Sequence, residues 1–131
     1  MRRCLPSPPK VAEGFFYEAT ILAHISKDNP AYYEQFFAPV AQLFVVKSDD
    51  EAVALANDSH FGVGRAVFSE DINRARGLAS RIEAWMVWIN GATDSLAELP
   101  FGGVKRSGFG RELGDVGIME SVNRKLVVIA K

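Results

Sequence analysis

The sequence predicts an α/β fold built on a parallel βαβαβ core. Three apolar, β-rich segments, at residues 40–47, 63–68 and 85–89, alternate with two segments that have helix-start signals and helical spacing of apolar residues. The links between these segments are short, and this alternation is typical of parallel strands joined by crossover helices. We therefore expect one parallel sheet that runs from the strand at residue 40 to the strand that ends at residue 89.

The first strand and helix of this core have clear local signals. Val40–Lys47 (VAQLFVVK) is apolar and predicts a mostly buried strand. Ser48-Asp-Asp-Glu51 is a capping box that starts a helix ending near Asn57. The helical spacing turns four residues inward: Ala52, Val53, Leu55 and Ala56.

The second half of the core repeats the pattern. Gly62 and Gly64 mark the end of the first helix, and Val63–Phe68 predicts the second strand. Ser69-Glu-Asp is a second helix start, with acidic residues at the positive end of the helix dipole. Trp85–Ile89 (WMVWI) predicts a third buried strand. The apolar face of the helix between them consists of Ile72, Ala75, Ala79 and Ile82.

Shorter elements flank the core. We predict a strand at Ala19–Ile25, a short helix at Pro30–Gln35 capped by Asn29, and a helical piece at Asp115–Val122. Lys125–Ala130 (KLVVIA) predicts a last strand. A core of three parallel strands with such short flanking elements looks incomplete for an independent domain.

Composition narrows the class of protein. The chain has 131 residues, 48% of them hydrophobic and 24% charged, which is typical of globular proteins. A net charge of −1 argues against a nucleic-acid-binding or membrane-surface protein, and no apolar run approaches the roughly 18 residues of a membrane span. The single cysteine, Cys4, cannot form an internal disulfide. We expect a cytoplasmic protein whose residues 1–13 form an irregular tail without the apolar stretch of a secretion signal.

A glycine-rich stretch at residues 99–114 (LPFGGVKRSGFGRELG) is the most distinctive part of the sequence. It does not fit a phosphate-binding P-loop, because Phe109 stands where that motif requires lysine. It does not fit the dinucleotide fingerprint either, because the third glycine is missing and no strand precedes it. Two interpretations stay open: a tight turn that uses glycine for close backbone approach, or an anion site formed by Lys105, Arg106 and free amides.

Metal and nucleophile sites find little support in the residue pattern. His24 and His60 stand far apart, with no cysteine or carboxylate pair at ligand spacing, so the sequence predicts no metal site. Cys4 has no nearby base in sequence, and Ser95 and Ser107 lack the context of a nucleophile elbow. From the residues alone, no complete active site can be assembled.

The glycine stretch, followed by NRKLVVIA, resembles the C-terminal segment of the aldehyde dehydrogenase superfamily, nearest to its succinate-semialdehyde dehydrogenases. The resemblance continues upstream through ANDSHFGVGRAVFSEDINRARGLASRIEAWMVWIN, EQFFAPVAQLFVV and GFFYEATIL. It implies a partial catalytic-domain segment at residues 14–122 and an oligomerisation strand at residues 123–131. It also implies that the glycine stretch is a turn closing the substrate tunnel.

The resemblance implies NAD or NADP as the family's cofactor and oxidation of an aldehyde to a carboxylate as its reaction. The family's catalytic cysteine, general-base glutamate and cofactor domain precede the matched part, so we expect no catalytic residue here, no activity of this chain alone, and weak or no cofactor binding. The alternative is a non-catalytic interaction module. Expected partners are a second copy of the chain, through the C-terminal strand, or a full-length aldehyde dehydrogenase; nucleic acid and membranes are not expected.

The resemblance also assigns candidate site residues. Either Glu34 or Gln35 takes the place of the family's glutamate that holds the nicotinamide ribose, and Phe37 matches the aromatic residue near the nicotinamide. Ser95 is the candidate for contact with a substrate carboxylate, and Phe101 the second substrate-side residue. Arg106 is less favoured, because we expect it to point to solvent.

Three positions depart from the family pattern. Arg65 and Trp85 stand where the family has glycine, and Ala19 where it has proline. Large side chains at such positions would clash if the backbone adopted a positive φ or a close contact there.

Overall fold

The computed structural model describes residues 2–3, 14–15 and 17–130. Cys4 and most of the predicted N-terminal tail lie outside these residues. The chain divides into two compact units, residues 1–47 and 48–131.

The first unit is a small three-stranded sheet. Its strands are β1 (Arg2–Arg3), β2 (Thr20–Ala23) and β3 (Val40–Leu43), in the spatial order β1-β2-β3. β2 and β3 are parallel, with Thr20 opposite Val40 and Ala23 opposite Leu43, whereas β1 is antiparallel to β2. The buried residues of this unit follow β2 closely: Thr20, Leu22, Ala23 and Ile25.

A 3-10 helix at Pro30–Tyr32 connects β2 to β3. It begins where predicted, because the Asn29 side chain accepts a hydrogen bond from the Ala31 amide at 3.0 Å and proline occupies the first turn. It is shorter than the predicted helix to Gln35. The Tyr32 ring packs edge-to-face on Phe44, with 5.4 Å between the ring centroids, and so anchors the helix beside the end of β3.

The second unit contains the three α-helices of the described residues: α1 (Asp49–Asn57), α2 (Ile72–Ala79) and α3 (Gly114–Glu120). Ser48 caps α1 as predicted, since its hydroxyl accepts from the Glu51 amide at 3.2 Å. Asp71 caps α2 by accepting from the Arg74 amide at 3.0 Å.

The strands of this unit form three separate two-stranded sheets. β5 (Gly64–Val67) and β6 (Met86–Ile89) are parallel and joined through α2, so this βαβ unit is confirmed. Two antiparallel pairs are short: β4 (Phe61–Gly62) with β8 (Val104–Lys105), and β7 (Phe101–Gly102) with β9 (Arg111–Glu112). Among the described residues β3 pairs with β2 and β5 pairs with β6, so a single continuous βαβαβ sheet is not observed.

Burial in the second unit is lower than the apolar pattern predicts. Val53 and Ala75 are its buried apolar residues, whereas the other predicted inward residues of α1 are half-buried and Ile72 is 44% exposed. All four residues of β6 are half-buried rather than buried. The reason is that β5 and β6 form a sheet of only two strands, so few neighbouring residues are available to bury the side chains of β6.

Residues 123–130 have no regular secondary structure and are exposed, so the predicted strand at Lys125–Ala130 is not observed. A strand is defined by its hydrogen-bonded neighbour, and no described strand lies beside this segment. Its pairing with a second chain stays a prediction.

Candidate functional site

The glycine stretch is a set of tight turns whose amides are already bonded. The amides of Arg106, Ser107 and Gly108 donate to the carbonyls of His60, Val104 and Lys105, at 2.9, 3.1 and 3.5 Å. These three groups therefore cannot form an amide cradle for an anion without giving up internal hydrogen bonds.

Lys105 is also held within the fold. Its Nζ donates to the carbonyl oxygens of Asn57 and Ser59, at 2.7 and 3.1 Å, and lies 2.9 Å from a carboxylate oxygen of Glu83. These three partners occupy the three N–H donors of the ammonium group. The geometry favours the turn interpretation of the stretch over the anion site.

The glycines meet the requirements of these turns. A Cβ at Gly103 would lie 2.7 Å from the Ser107 Cβ and 2.9 Å from its backbone oxygen. Gly108 and Gly110 have φ values of 123° and 78°, a region that side chains rarely adopt. Close approach and positive φ together explain why this stretch contains five glycines.

An open groove of about 470 Å³ lies over the glycine stretch. Its lining includes the aromatic residues Phe101 and Phe109, the polar residue Ser107, and the charged residues Arg111 and Glu120. The lining thus combines apolar rings with a few charged groups, the two kinds of group with which proteins hold and orient small molecules.

The substrate-side candidates separate in the structure. Phe101 is half-buried in β7 and lines the groove, whereas Ser95 is exposed in the preceding loop and is not among the lining residues. The Ser95 amide donates to its neighbour Asp94 at 2.8 Å. Arg106 is exposed, in agreement with the expectation that it points to solvent.

The cofactor-side candidates, Glu34, Gln35 and Phe37, lie in the first unit between the 3-10 helix and β3. Their segment is held at both ends. The Gln42 side chain donates to the Ala31 carbonyl, and the Thr20 amide donates to the Pro39 carbonyl at 2.9 Å.

All three cofactor-side candidates are exposed, and the Phe37 ring is 97% exposed. An aromatic ring and a carboxylate on one exposed segment can pack on a planar ring and accept hydrogen bonds from sugar hydroxyls.

Two residues with the most specific contacts in this region were not predicted as site residues. The Arg111 guanidinium carbon lies 3.5 Å from the centroid of the Trp85 ring, and the indole Nε1 donates to the Pro100 carbonyl at 3.0 Å. In the sequence Trp85 stands out as an aromatic residue of a predicted strand and as a departure from the family's glycine, and neither feature points to Arg111. Its partner is 26 positions away, a separation that no helical or strand periodicity encodes.

The departures at Arg65 and Trp85 cause no backbone conflict. Neither residue has a positive φ. Arg65 folds back along its own strand, where its guanidinium donates to the carbonyls of Gly64 and Phe61 at 3.0 and 3.3 Å. Neither position therefore meets the positive-φ condition for a clash, and the Arg65 side chain is accommodated along its own strand.

Within the described residues no group of three or more His, Cys, Asp or Glu side chains could hold a metal ion. In the same part of the chain, no helix is long and apolar enough to cross a bilayer.

Comparison with known proteins identifies the family. The model of the aldehyde dehydrogenase family matches residues 3–127. The chain is 54% identical over 114 residues to the succinate-semialdehyde dehydrogenase [NADP(+)] of Deinococcus radiodurans. This alignment covers 87% of the present chain and 24% of that protein. It is 42% identical over 122 residues to a chloroplastic aminoaldehyde dehydrogenase of Arabidopsis thaliana, with 93% of this chain and 24% of that protein covered.

Solved structures give the same result. The chain matches the succinic semialdehyde dehydrogenase from Streptococcus pyogenes, in complex with NADP+, with a TM-score of 0.82 and 45% identity. That match covers 88% of this chain and 26% of the other, so the chain spans about a quarter of the length of its relatives. The chain belongs to the aldehyde dehydrogenase family and corresponds to its C-terminal segment.

Proposed function

We propose that this chain contributes binding surfaces, rather than reacting groups, to NAD(P)-dependent oxidation of an aldehyde to a carboxylate. Succinate semialdehyde is the proposed substrate, because a relative that is 54% identical is named for it. The observation that carries the proposal is the exposed segment with Glu34, Gln35 and Phe37, which presents an aromatic ring beside hydrogen-bonding side chains.

The cofactor-side residues fit part of a nicotinamide cofactor. A carboxylate at position 34 can accept hydrogen bonds from both ribose hydroxyls, whereas an amide at position 35 can accept through one oxygen only. The exposed Phe37 ring can cover one face of the nicotinamide. When bound, the cofactor supplies the hydride acceptor of the reaction; these residues would orient it.

The substrate-side residues would contribute a second binding surface. Phe101 provides an apolar surface in the groove, and the Ser95 hydroxyl is the proposed contact for a substrate carboxylate. The side chain of Ser95 is exposed, so a substrate could reach it without rearrangement of the loop. In this family-based scheme the attacking thiolate and the general base come from outside residues 14–131.

We propose that the 131-residue chain alone does not oxidise aldehydes. The test is an absorbance assay at 340 nm with succinate semialdehyde and with NAD or NADP, on the chain and on its Cys4→Ala variant. Without a positioned thiolate and base there is no covalent step to accelerate, so no reduced cofactor should accumulate. Turnover by the chain that disappears in Cys4→Ala contradicts the proposal.

A second candidate function is an interaction module that binds itself or a full-length aldehyde dehydrogenase. It is favoured by the exposure of Leu126, Val127, Val128 and Ile129, which are each 71–89% exposed. Co-elution with an intact homologue on size-exclusion chromatography would support this candidate. Single, unshifted peaks in a mixture would argue against it.

A further inference from the structure

Trp85 and Arg111 are stacked on each other at the edge of the groove. The guanidinium carbon of Arg111 lies 3.5 Å from the Trp85 ring centroid, well within the distance at which a cation is attracted to an indole face. The same indole donates from Nε1 to the Pro100 carbonyl at 3.0 Å. Trp85 therefore contacts Arg111 and holds the residue that directly precedes Phe101.

Arg111 holds the other end of the same strand. Its Nη1 donates to the Gly103 carbonyl at 3.0 Å and also to the Gly110 carbonyl. Because β7 consists of Phe101 and Gly102, one carbonyl on each side of β7 is bonded to a member of the stacked pair.

The Arg111 side chain also crosses directly over β7. A Cβ at Gly102 would lie 2.8 Å from the Arg111 Cδ and 3.1 Å from its Nη1. The Arg111 Nε is buried and has no hydrogen-bond partner among the described residues. Leaving a buried donor unpaired is unfavourable, so the stack and the Nη1 bonds must offset this cost to hold the guanidinium over β7.

We propose that Trp85 and Arg111 form a clamp that positions Phe101 in the groove. The two are positioning residues, since they act on Phe101 through the carbonyls of Pro100 and Gly103. This part of the inference rests on the proposed function. The clamp fixes the position of Phe101 on the substrate side of the groove and thereby sets the size of aldehyde that the groove accepts.

The stack is tested by fluorescence of the full chain. The chain has two tryptophans, so a Trp88→Phe background leaves Trp85 as the single emitter. Arg111→Ala in this background should change the intensity and the wavelength of Trp85 emission, because a charged group is removed from the indole face. Arg106→Ala, on the same glycine stretch, is the matched control and should change neither. Unchanged emission in a folded Arg111→Ala chain would overturn the clamp.

The positioning of Phe101 is tested by hydrogen exchange. Trp85→Phe retains a ring but loses the indole N–H, and Arg111→Lys retains the charge but loses the planar fork. Each should speed amide exchange at residues 101–103 by about two- to tenfold, the factor expected from the loss of one net hydrogen bond. Residues 64–67 should be unaffected by either variant, and Trp88→Phe, which lies opposite Ala66, should leave exchange at residues 101–103 unchanged. Altered emission without faster exchange at 101–103 would refute positioning.

A third measurement needs no altered chain. The indole N–H of Trp85 should exchange with solvent more slowly than that of Trp88 in the unmodified protein, because Trp85 donates to Pro100. Equal rates would contradict the clamp even if the variants fail to fold. None of these readouts uses cofactor or substrate. The clamp is therefore tested independently of the proposed function, whatever an activity assay shows.

Discussion

The Arg74 guanidinium binds the Asp49 carboxylate through two hydrogen bonds, from Nε to Oδ2 at 2.7 Å and from Nη2 to Oδ1. This pair joins the first turns of α1 and α2. Beside it, Arg81 donates to Asp50 at 2.6 Å, which makes a second connection to α1 from just beyond the end of α2. The hydrogen bond from Arg74 is the main cause that lowers the pKa of Asp49, assisted by the positive charges of Arg74 and Arg81 and opposed by partial burial.

The first prediction is a loss of stability in acid that depends on Asp49. Because the pKa of this carboxyl is lower in the folded chain, its contribution is complete above the unfolded pKa of about 3.8 and is lost as the pH falls through the lowered folded value. The free energy of unfolding of Asp49→Asn should therefore lie below that of the original chain at pH 7, and the gap should shrink towards pH 3. Urea unfolding at both pH values measures it.

The effect should be modest, since the side chains of Arg74 and Asp49 are 57% and 40% exposed and solvent screens them. Arg74→Lys is the matched variant, because it retains the charge but cannot make the two-pronged contact. It should keep part of the pH dependence. A constant gap between Asp49→Asn and the original chain from pH 7 to pH 3 would rule out this account.

The second prediction is that Gly77→Ala stabilises the chain. Gly77 lies inside α2, and a Cβ built there meets no atom within 4 Å. Alanine restricts the unfolded backbone more than glycine does, so the gain should be about 0.5–1 kcal/mol in the free energy of unfolding. Chemical denaturation at neutral pH measures the gain. A lower midpoint than that of the original chain would show that α2 does not tolerate the side chain.

The third prediction is that the same substitution at Gly103 destabilises the chain. The new Cβ would overlap Ser107, whose hydroxyl accepts from the Gly62 amide at 3.0 Å. Relieving the overlap must displace the turn and weaken that hydrogen bond, at a cost of about 1–3 kcal/mol. Gly77→Ala is the control, because it adds the same methyl group in open space. Equal stability of the two variants would mean that the turn adapts at no cost.

The starts of the helices were predictable because their signals are local. Ser48 and Asn29 cap the elements they were predicted to start, through bonds to amides two or three residues away. Strand lengths were not predictable in this way. Val40–Lys47 is mostly apolar, yet β3 ends at Leu43, because β2 offers only four residues for pairing. Apolar character can predict a strand, but the neighbouring strand decides its length.

The candidate site was predictable to a similar degree. The resemblance proposed Phe101 and Ser95 as substrate-side residues; Phe101 lines the groove and Ser95 does not, and the contact of either with a substrate stays a prediction. The contacts of Lys105 with Asn57 and Ser59 and the stack of Arg111 on Trp85 join positions far apart in the chain. Single-sequence patterns report only near neighbours, so these contacts require the folded structure.

The fourth prediction is that the chain binds NAD and NADP weakly. The proposed contacts at Glu34 or Gln35 amount to one or two hydrogen bonds, worth about 0.5–1.5 kcal/mol each. Micromolar affinity requires about 8 kcal/mol, far more than these bonds and one aromatic contact provide. Calorimetric titration should show no saturation at micromolar cofactor. A micromolar dissociation constant would reveal a more complete cofactor site than residues 34–37 supply.

The fifth prediction is that the chain forms a homo-oligomer, most simply a two-fold dimer, through residues 125–130. Four consecutive apolar residues, Leu126–Ile129, are exposed, so a strand formed there would need cover on both faces and a partner at its edge. A second copy of the same segment satisfies these needs with an isologous interface. Sedimentation at micromolar concentration should give more than one chain per particle.

Two charged variants distinguish this segment from other exposed apolar surface. Val127→Lys with Ile129→Lys places charges on one face of the proposed strand and should shift the chain towards monomer. Phe109→Lys is the control, because Phe109 is at least as exposed as Val127 and Ile129 but lies on the glycine stretch; it should leave the assembly unchanged. If the unmodified chain sediments as a stable monomer, the segment needs no partner chain and the prediction is wrong. If instead Phe109→Lys dissociates the oligomer as strongly as the double variant, the interface lies at the groove.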